Sequence, residues 1–299
     1  MNRGWTGTAV NMGAPESVER SGVMWFDEND SRTYLAKCDA AQSGPALCLQ
    51  TKQKTLDVLQ RDTTREILRN IGCWWMDLQG RGWYDDADFW KVISKTDEME
   101  RKVMARTRPF APEVAVIVDE ASALRIGAGT TRETGVLVHF RRALSLTGVP
   151  FGQYILSDVA KNGLGAKLEI HLATWFADVP PAKEGVSRLF IRVPGAPAPK
   201  NLGPNDTVLP IKDIVPSYDP KALDALRPVG LYDIVKRAGV HMYLDREDVA
   251  KAVVWASDGY VTVDAHEDCE INVNLPDGTR RPLKLRKGQC KVLTCDQGK

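Results

Sequence analysis

The apolar positions of this chain fall into three successive patterns, and the changes between them outline its organisation. After a Gly-rich start and a short helical signal at 14–18, Gly22-Val23-Met24-Trp25-Phe26 is mostly apolar and stops at Asp27-Glu28-Asn29-Asp30. An apolar run closed by acids is the pattern of a buried parallel strand emerging at its C-terminal end. Residues 51–70 carry Leu56, Leu59, Ile67 and Leu68 at roughly helical spacing, which predicts an amphipathic helix. Ile71-Gly72-Cys73-Trp74-Trp75-Met76-Asp77 repeats the strand pattern, followed by a Gly/aromatic loop at 79–84 and a helix over 86–105. Strand alternating with helix predicts parallel βα units. Two strands alone do not make a stable sheet, so this reading requires further strands beside them.

The second pattern begins beyond Arg106-Thr107-Arg108-Pro109-Phe110-Ala111-Pro112, a linker-like stretch. Val114-Ala115-Val116-Ile117-Val118 predicts a strongly buried strand closed by Asp119. Thr130 and Glu133 fit a capping box, opening a helix with Val136, Phe140, Ala143 and Leu144 on one face. Tyr154-Ile155-Leu156 and Leu168-Glu169-Ile170-His171-Leu172 predict two more strands, giving a doubly wound α/β unit. From Val179 to Pro228 prolines are dense and periodicity fades, until a helix over 229–238 restores it. In the third pattern, Val253–Ala256 and Tyr260–Val263 flank Ser257-Asp258-Gly259, and Ile271–Leu275 and Leu283–Leu285 flank Asp277-Gly278. Asp-Gly between apolar segments is a hairpin signal, so a small antiparallel sheet is expected. The expected domains are therefore 1–108, 109–250 and 251–299.

Composition narrows the function classes. Hydrophobic residues make up 43% and charged residues 26%, with a net charge of +1, so neither nucleic acid nor an anionic membrane is an expected partner. No run approaches the ~18 apolar residues of a membrane span. The start, MNRGWTGTAVNMG, lacks the charged-then-apolar order of a signal peptide, which points to the cytoplasm. The six cysteines form no CxxC pair and the four histidines are scattered, so neither a metal nor a cofactor is expected. Cys290 and Cys295 are near enough in sequence to bridge in an oxidising compartment, with free thiols the expected state.

Candidate chemistry lies where the two N-terminal strands end, because parallel α/β barrels carry functional side chains on the loops after their strands. Alternation sends Glu28 to the same side as Phe26; if that side is inward, Glu28 is a carboxylate at the rim. The bland alternative is that these acids solubilise the loop and cap the next helix. The same count places Cys73, Trp75 and Asp77 inward, with Trp74 and Met76 outward. Aromatic faces stack on sugar C–H faces and a nearby carboxylate binds hydroxyls, so Trp75, Asp77, Trp83 and Tyr84 are candidate sugar contacts, with core packing the alternative. Gly127-Ala128-Gly129 lacks the third glycine of a dinucleotide fingerprint, since Arg132 stands there. His171 and His241 read as core or partly buried residues, and no GxSxG elbow is present.

With these residues in view, GVMWFDENDSRTYLA, the helix with Val58-Leu59-Gln60-Arg61-Asp62, and GCWWMDLQGRGWYDD together resemble the end of the catalytic barrel of glycoside hydrolase family forty-two. EVAVIVDE to AKLEIHLATWF is similar to the trimerisation domain of its β-galactosidases, which has a glutamine-amidotransferase-like fold. RAGVHMYLDREDV and the hairpins after it resemble the close of that domain and the small C-terminal β domain. The resemblance implies an α/β chain: the last two βα units of a TIM-type barrel, a flavodoxin/amidotransferase-like domain and a small antiparallel β domain. It implies a parent enzyme that hydrolyses β-galactosides or related sugars with retention. By register Glu28 falls at the nucleophile's place on the seventh strand, with Asp30 the alternative. Strands one to six and the acid/base glutamate are not among these 299 residues, so the isolated chain is expected to be incomplete as a catalyst. Thr174 and Trp175 stand where an amidotransferase nucleophile would sit, which implies a catalytically silent domain serving a homotrimer.

Two other readings compete. In one, the chain is a non-enzymatic amidotransferase-like interaction module, with residues 22–27 joining the same sheet as 114–118. In the other, it is a flavodoxin-like nucleotide binder, which the missing phosphate loop disfavours.

Overall fold

The computed structural model describes residues 11, 13–29, 31–36, 48–105, 110–125, 134–172, 175, 181, 183–216 and 225–295. The chain forms two compact units: Met1–Asn11, Val18–Phe110 and Lys251–Lys299 make one, Met12–Ser17 and Ala111–Ala250 the other. The boundary between the units falls at 110/111, and residues 251–299 belong to the first unit.

In the first unit a short helix, α1 (Pro15–Arg20), enters from residues of the second and precedes strand β1 (Phe26–Asn29). Helix α2 (Lys52–Leu68) then crosses over to strand β2 (Gly72–Trp75), which pairs parallel with β1. This is the βα repeat expected from the alternation. The Thr51 side chain caps α2 by accepting from Lys54 N at 3.2 Å, and Asn70 in the left-handed region (φ 58°) turns the chain out of the helix. Helices α3 (Ala87–Ser94) and α4 (Asp97–Met104) follow β2. The strand begins later than its apolar run implies. Val23, Met24 and Phe26 are exposed, and the acids expected after the strand lie within it, because Asp27 and Asn29 find polar partners on one side.

The rest of this unit is antiparallel. Strands β8 (Ala252–Ser257), β9 (Tyr260–Ala265) and β12 (Cys290–Thr294) form one sheet in the order β12-β9-β8; β10 (Cys269–Asn274) and β11 (Arg280–Leu285) form a separate hairpin. Both Asp-Gly turns close hairpins: Asp258 and Gly259 adopt φ 52° and 81°, and Gly278 adopts φ 83° beside Asp277. Helix α2 packs against β2 and α3 and also against β8, β9 and β12. Burial on more than one side explains why it carries buried Asp57, Arg61, Asp62, Arg65 and Glu66 rather than a single apolar stripe. Cys48 is disulfide-bonded, whereas Cys73 and Cys290 carry thiols.

The second unit is a five-stranded all-parallel sheet in the order β4-β3-β5-β6-β7. Its strands are β3 (Val114–Val118), β4 (Phe151–Ile155), β5 (Leu168–Leu172), β6 (Ser187–Arg192) and β7 (Asp206–Pro210). That order is doubly wound. Asp119 caps helix α5 (Glu120–Ala123) through the backbone amides of Ala121 and Ser122. A π-helical turn (Thr134–His139) runs into α6 (Phe140–Ser145), burying Val136, Phe140, Ala143 and Leu144 as the periodicity predicts. Helices α7 (Leu156–Asn162) and α8 (Pro228–Arg237) complete the unit. Gly127-Ala128-Gly129, Thr130, Glu133 and Thr174 lie outside the described residues. His171 is buried and stacks on Phe190 with ring centroids 4.8 Å apart.

Candidate functional site

The parallel pairing of β1 and β2 decides which side chains share a face. Its register is Phe26↔Gly72, Asp27↔Cys73, Glu28↔Trp74 and Asn29↔Trp75. Side chains alternate along a strand, and register partners across a parallel pair lie side by side at about 4.8 Å. One face therefore carries Asp27, Asn29, Cys73 and Trp75, the other Phe26, Glu28 and Trp74.

The first of these faces is turned to α2. Asn29 donates to Asp62 at 3.1 Å, the Cys73 thiol lies beside the Glu66 carboxyl, and Asp27 accepts from Trp25 Nε1 at 2.7 Å and from the Asn11 amide. The opposite face is open: Phe26 is 58% and Trp74 46% exposed, while Glu28 is half-buried. Phe26 can lie flat over the strand because residue 72 is glycine; a Cβ there would sit 2.8 Å from the Phe26 ring. Phe26 forms the floor at the start of the strands, and Glu28 and Trp74 stand side by side further along.

This register corrects the alternation count in β2. Trp75 points with Cys73 to the helix side, and Trp74 shares the face of Glu28. Trp75 packs on Tyr84 with ring centroids 5.7 Å apart, at the edge of a core of Ala36, Leu59, Trp83, Tyr84 and Phe89. Trp83 and Tyr84 are both 7% exposed, and the Tyr84 hydroxyl donates to the Ser31 carbonyl at 3.0 Å. Their burial is that of structural side chains, with the loop of residues 77–84 folded over the helix-side core. Asp77 is occupied in holding that loop: its carboxylate accepts from the backbone amides of Arg81, Gly82 and Trp83 at 2.9, 2.7 and 3.2 Å. Gly80 (φ 61°) and Gly82 (φ 76°) supply the left-handed conformations that aim those amides inward. Asp30 lies outside the described residues. Of the sequence candidates that are described, Glu28 alone sits on the open face.

Two further groups stand out, Trp74, which alternation within β2 alone sends outward, and Glu66. Trp74 could have been found only by aligning the strands with each other, since counting within one strand fixes alternation but not direction. Glu66 was hidden by its place on a charged helix: burial pushes its carboxyl up to about 8 against the pull of Arg65, whose guanidinium donates to it at 2.9 Å. Chemically, the open face offers one carboxylate beside an aromatic wall. Retaining glycoside hydrolysis needs two carboxyl groups ~5–5.5 Å apart, and Glu28 is the one carboxylate on this face of β1 and β2. Among the described residues no three His, Cys, Asp or Glu side chains are grouped to hold a metal ion, and no helix is long and apolar enough to cross a membrane.

No family model matches the sequence, and no curated protein does. Solved structures give partial likenesses. A cold-adapted β-galactosidase from Rahnella sp. R3 is 11% identical, with a TM-score of 0.49 over 84% of this chain and 52% of that one. An exo-carrageenase of glycoside hydrolase family forty-two from Bacteroides ovatus is 9% identical, with a TM-score of 0.46 over 81% of this chain and 39% of that one. A β-galactosidase from the psychrophilic Marinomonas ef1 is 10% identical, with a TM-score of 0.41 over 76% of this chain and 44% of that one. The chain spans between 39% and 52% of the length of these proteins.

Proposed function

We propose that this chain is part of a retaining glycoside hydrolase acting on β-galactosides or related β-linked sugars. In this reading β1 and β2 are the last two strands of its catalytic barrel and Glu28 is the nucleophile. The observation that carries it is the open face of the β1–β2 pair, where Glu28 and Trp74 are register partners. A carboxylate at the emerging end of a parallel strand can attack an anomeric carbon, and an aromatic neighbour can stack on the C–H face of the sugar that delivers it. The acid/base carboxyl, which must protonate the leaving oxygen, would come from another βα unit. The second unit would serve as a trimerisation domain.

The rival reading, a single interaction module, requires residues 22–27 to pair with 114–118. Instead β1 pairs with β2, and β3 pairs with β4 and β5. The test is to join the chain to upstream βα units and assay aryl β-galactosides. Glu28→Gln is expected to remove turnover by ~10³-fold or more with the fold intact. Turnover equal to the parent in Glu28→Gln would overturn the assignment.

A further inference from the structure

Strand β4 is one edge of the five-stranded parallel sheet, and among the described residues no strand pairs with its outer side. Its sequence, Phe151-Gly152-Gln153-Tyr154-Ile155, holds no charge and no proline, and four of its five residues are buried. An uncharged, β-prone edge of this kind is a template for pairing with another chain. At the opposite edge β7 ends in Pro210, and proline is one of the devices that blunt such templates.

On β4 two side chains of the same unit, Glu16 and Ser17, take up outer backbone amides. A Glu16 carboxylate oxygen accepts from the Gln153 amide at 2.6 Å, and the Ser17 hydroxyl oxygen accepts from the Ile155 amide at 3.1 Å. These amides are two residues apart, so both point away from β3. The Ser17 proton is committed elsewhere. Its hydroxyl donates to Asp158 on α7 at 2.8 Å, and Asp158 accepts in turn from the Asn162 amide at 2.8 Å. The lone pairs of Ser17 are thereby left for the strand. Glu16 is 1% and Ser17 9% exposed, so water does not compete freely for either bond. Two side-chain oxygens at alternate positions stand where the carbonyls of a further strand would be.

We propose that Glu16 and Ser17 are a guard over a strand-pairing edge, whose partner, once the guard is lifted, is β4 of a second copy of this chain. The edge is complementary to itself. A two-fold axis at Gln153 sets Ile155 of each copy opposite Phe151 of the other in antiparallel register, so that outward amides meet outward carbonyls. Neither β4 brings a charge that would repel the other. Such an interface is isologous and closes once two edges have met. The guard is independent of Glu28 and of the glycosidase reading.

The experiment is sedimentation velocity of the full chain over a wide range of concentration, with amide exchange read at Gln153 and Ile155. In dilute solution, Glu16→Ala combined with Ser17→Ala is expected to raise exchange at both amides about tenfold. As concentration rises, that exchange should slow again while the mass climbs towards about twice that of the parent. Glu16→Gln retains a carbonyl that can accept from the Gln153 amide and is expected to keep the parent's mass. Adding Ile155→Pro to the double variant removes an outward donor, a change that edge strands admit, and is expected to restore the parent's mass. Where circular dichroism shows the double variant unfolded, Ser17→Ala alone, which spares Glu16, is expected to raise exchange at Ile155 several-fold and to associate more weakly. A mass equal to the parent's at every concentration, unchanged exchange, or association that survives Ile155→Pro would overturn the proposal.

Discussion

In the second unit, the central strands β3 and β5 are buried nearly from end to end, largely by aliphatic side chains such as Val114, Val116, Ile117, Leu168, Ile170 and Leu172. In the first unit, the element at the centre is α2, and it buries Asp57, Arg61, Asp62, Arg65 and Glu66. The sheet of the second unit is held by the hydrophobic effect, which is non-directional and tolerates small shifts. The helix of the first unit is held by paired charges, which need defined partners at defined distances. The two layers should therefore fail in different ways.

The largest difference is expected from removing one partner of a buried charge. Asp62 accepts from Arg61 at 2.9 Å and from Asn29 at 3.1 Å, and its carboxylate forms an ion pair with the Arg65 guanidinium at 3.4 Å. Asp62→Ala leaves two buried guanidiniums short of an anion and is expected to cost roughly 3–5 kcal/mol. Ile170→Ala, fully buried in the second unit, is expected to cost about 3 kcal/mol by transfer and cavity terms. Hydrogen exchange resolved along the sequence should show the first loss confined to 18–105 and 251–295 and the second to 111–250. An equal loss across both ranges would show that the units do not unfold separately.

pH sharpens the contrast, because the carboxyls that burial pushes up, Glu66 and Asp264, both lie in the first unit. In the first unit, burial pushes Glu66 up to about 8 and Asp264 up to about 6. A carboxyl whose folded pKa exceeds its unfolded value favours the native state when protonated. That contribution is complete below pH 4 and is lost as pH rises, through about 6 for Asp264 and about 8 for Glu66. In the second unit, burial opposes ionisation of Asp206, but hydrogen bonds from Arg188 and the Gly203 amide outweigh it and lower its pKa. Its contribution is present at neutral pH and lost on acidification. From pH 5 to 9 the first unit should lose stability on the order of 1–3 kcal/mol while the second holds. Below pH 4 both units should lose stability, because hydrogen bonds from Tyr34 and Lys52 also hold Asp86 of the first unit well below the usual carboxylate range. Thermal melts followed by exchange at each pH would check both limbs.

The same contrast explains what could be read in advance. The runs VAVIV and LEIHL announce β3 and β5 because fully buried parallel strands read as predominantly apolar runs. The Asp258-Gly259 and Asp277-Gly278 turns are local, set by residues that tolerate positive φ, and so are visible without tertiary knowledge. Strands β6 and β7 were hidden, since prolines surround them and the charges of Arg188 and Asp206 look like a loop until they pair with each other at 2.9 Å. The acids of α2 read as a solvated face because their partners lie up to 229 positions away, as with Asp57 and Arg286. At the candidate site local alternation put Glu28 on the face of Phe26, as in β1. It misdirected the aromatic reading to Trp75, because the facing of β2 depends on its register with β1.

The smallest expected effect is on the open face itself. Trp74 is 46% and Phe26 58% exposed, so truncating either removes little buried area. Trp74→Ser is expected to change the stability of this chain by no more than about 0.5 kcal/mol, against the several kcal/mol typical of a buried tryptophan. Trp75→Ser, one residue on, should cost more because that ring packs on Tyr84. Once the chain is joined to upstream βα units and turns over aryl β-galactosides, the ranking should invert: Trp74→Ser should raise KM, while Trp75→Ser should act mainly through stability. An unchanged KM in Trp74→Ser would remove the tryptophan from the site and leave Glu28 to stand alone.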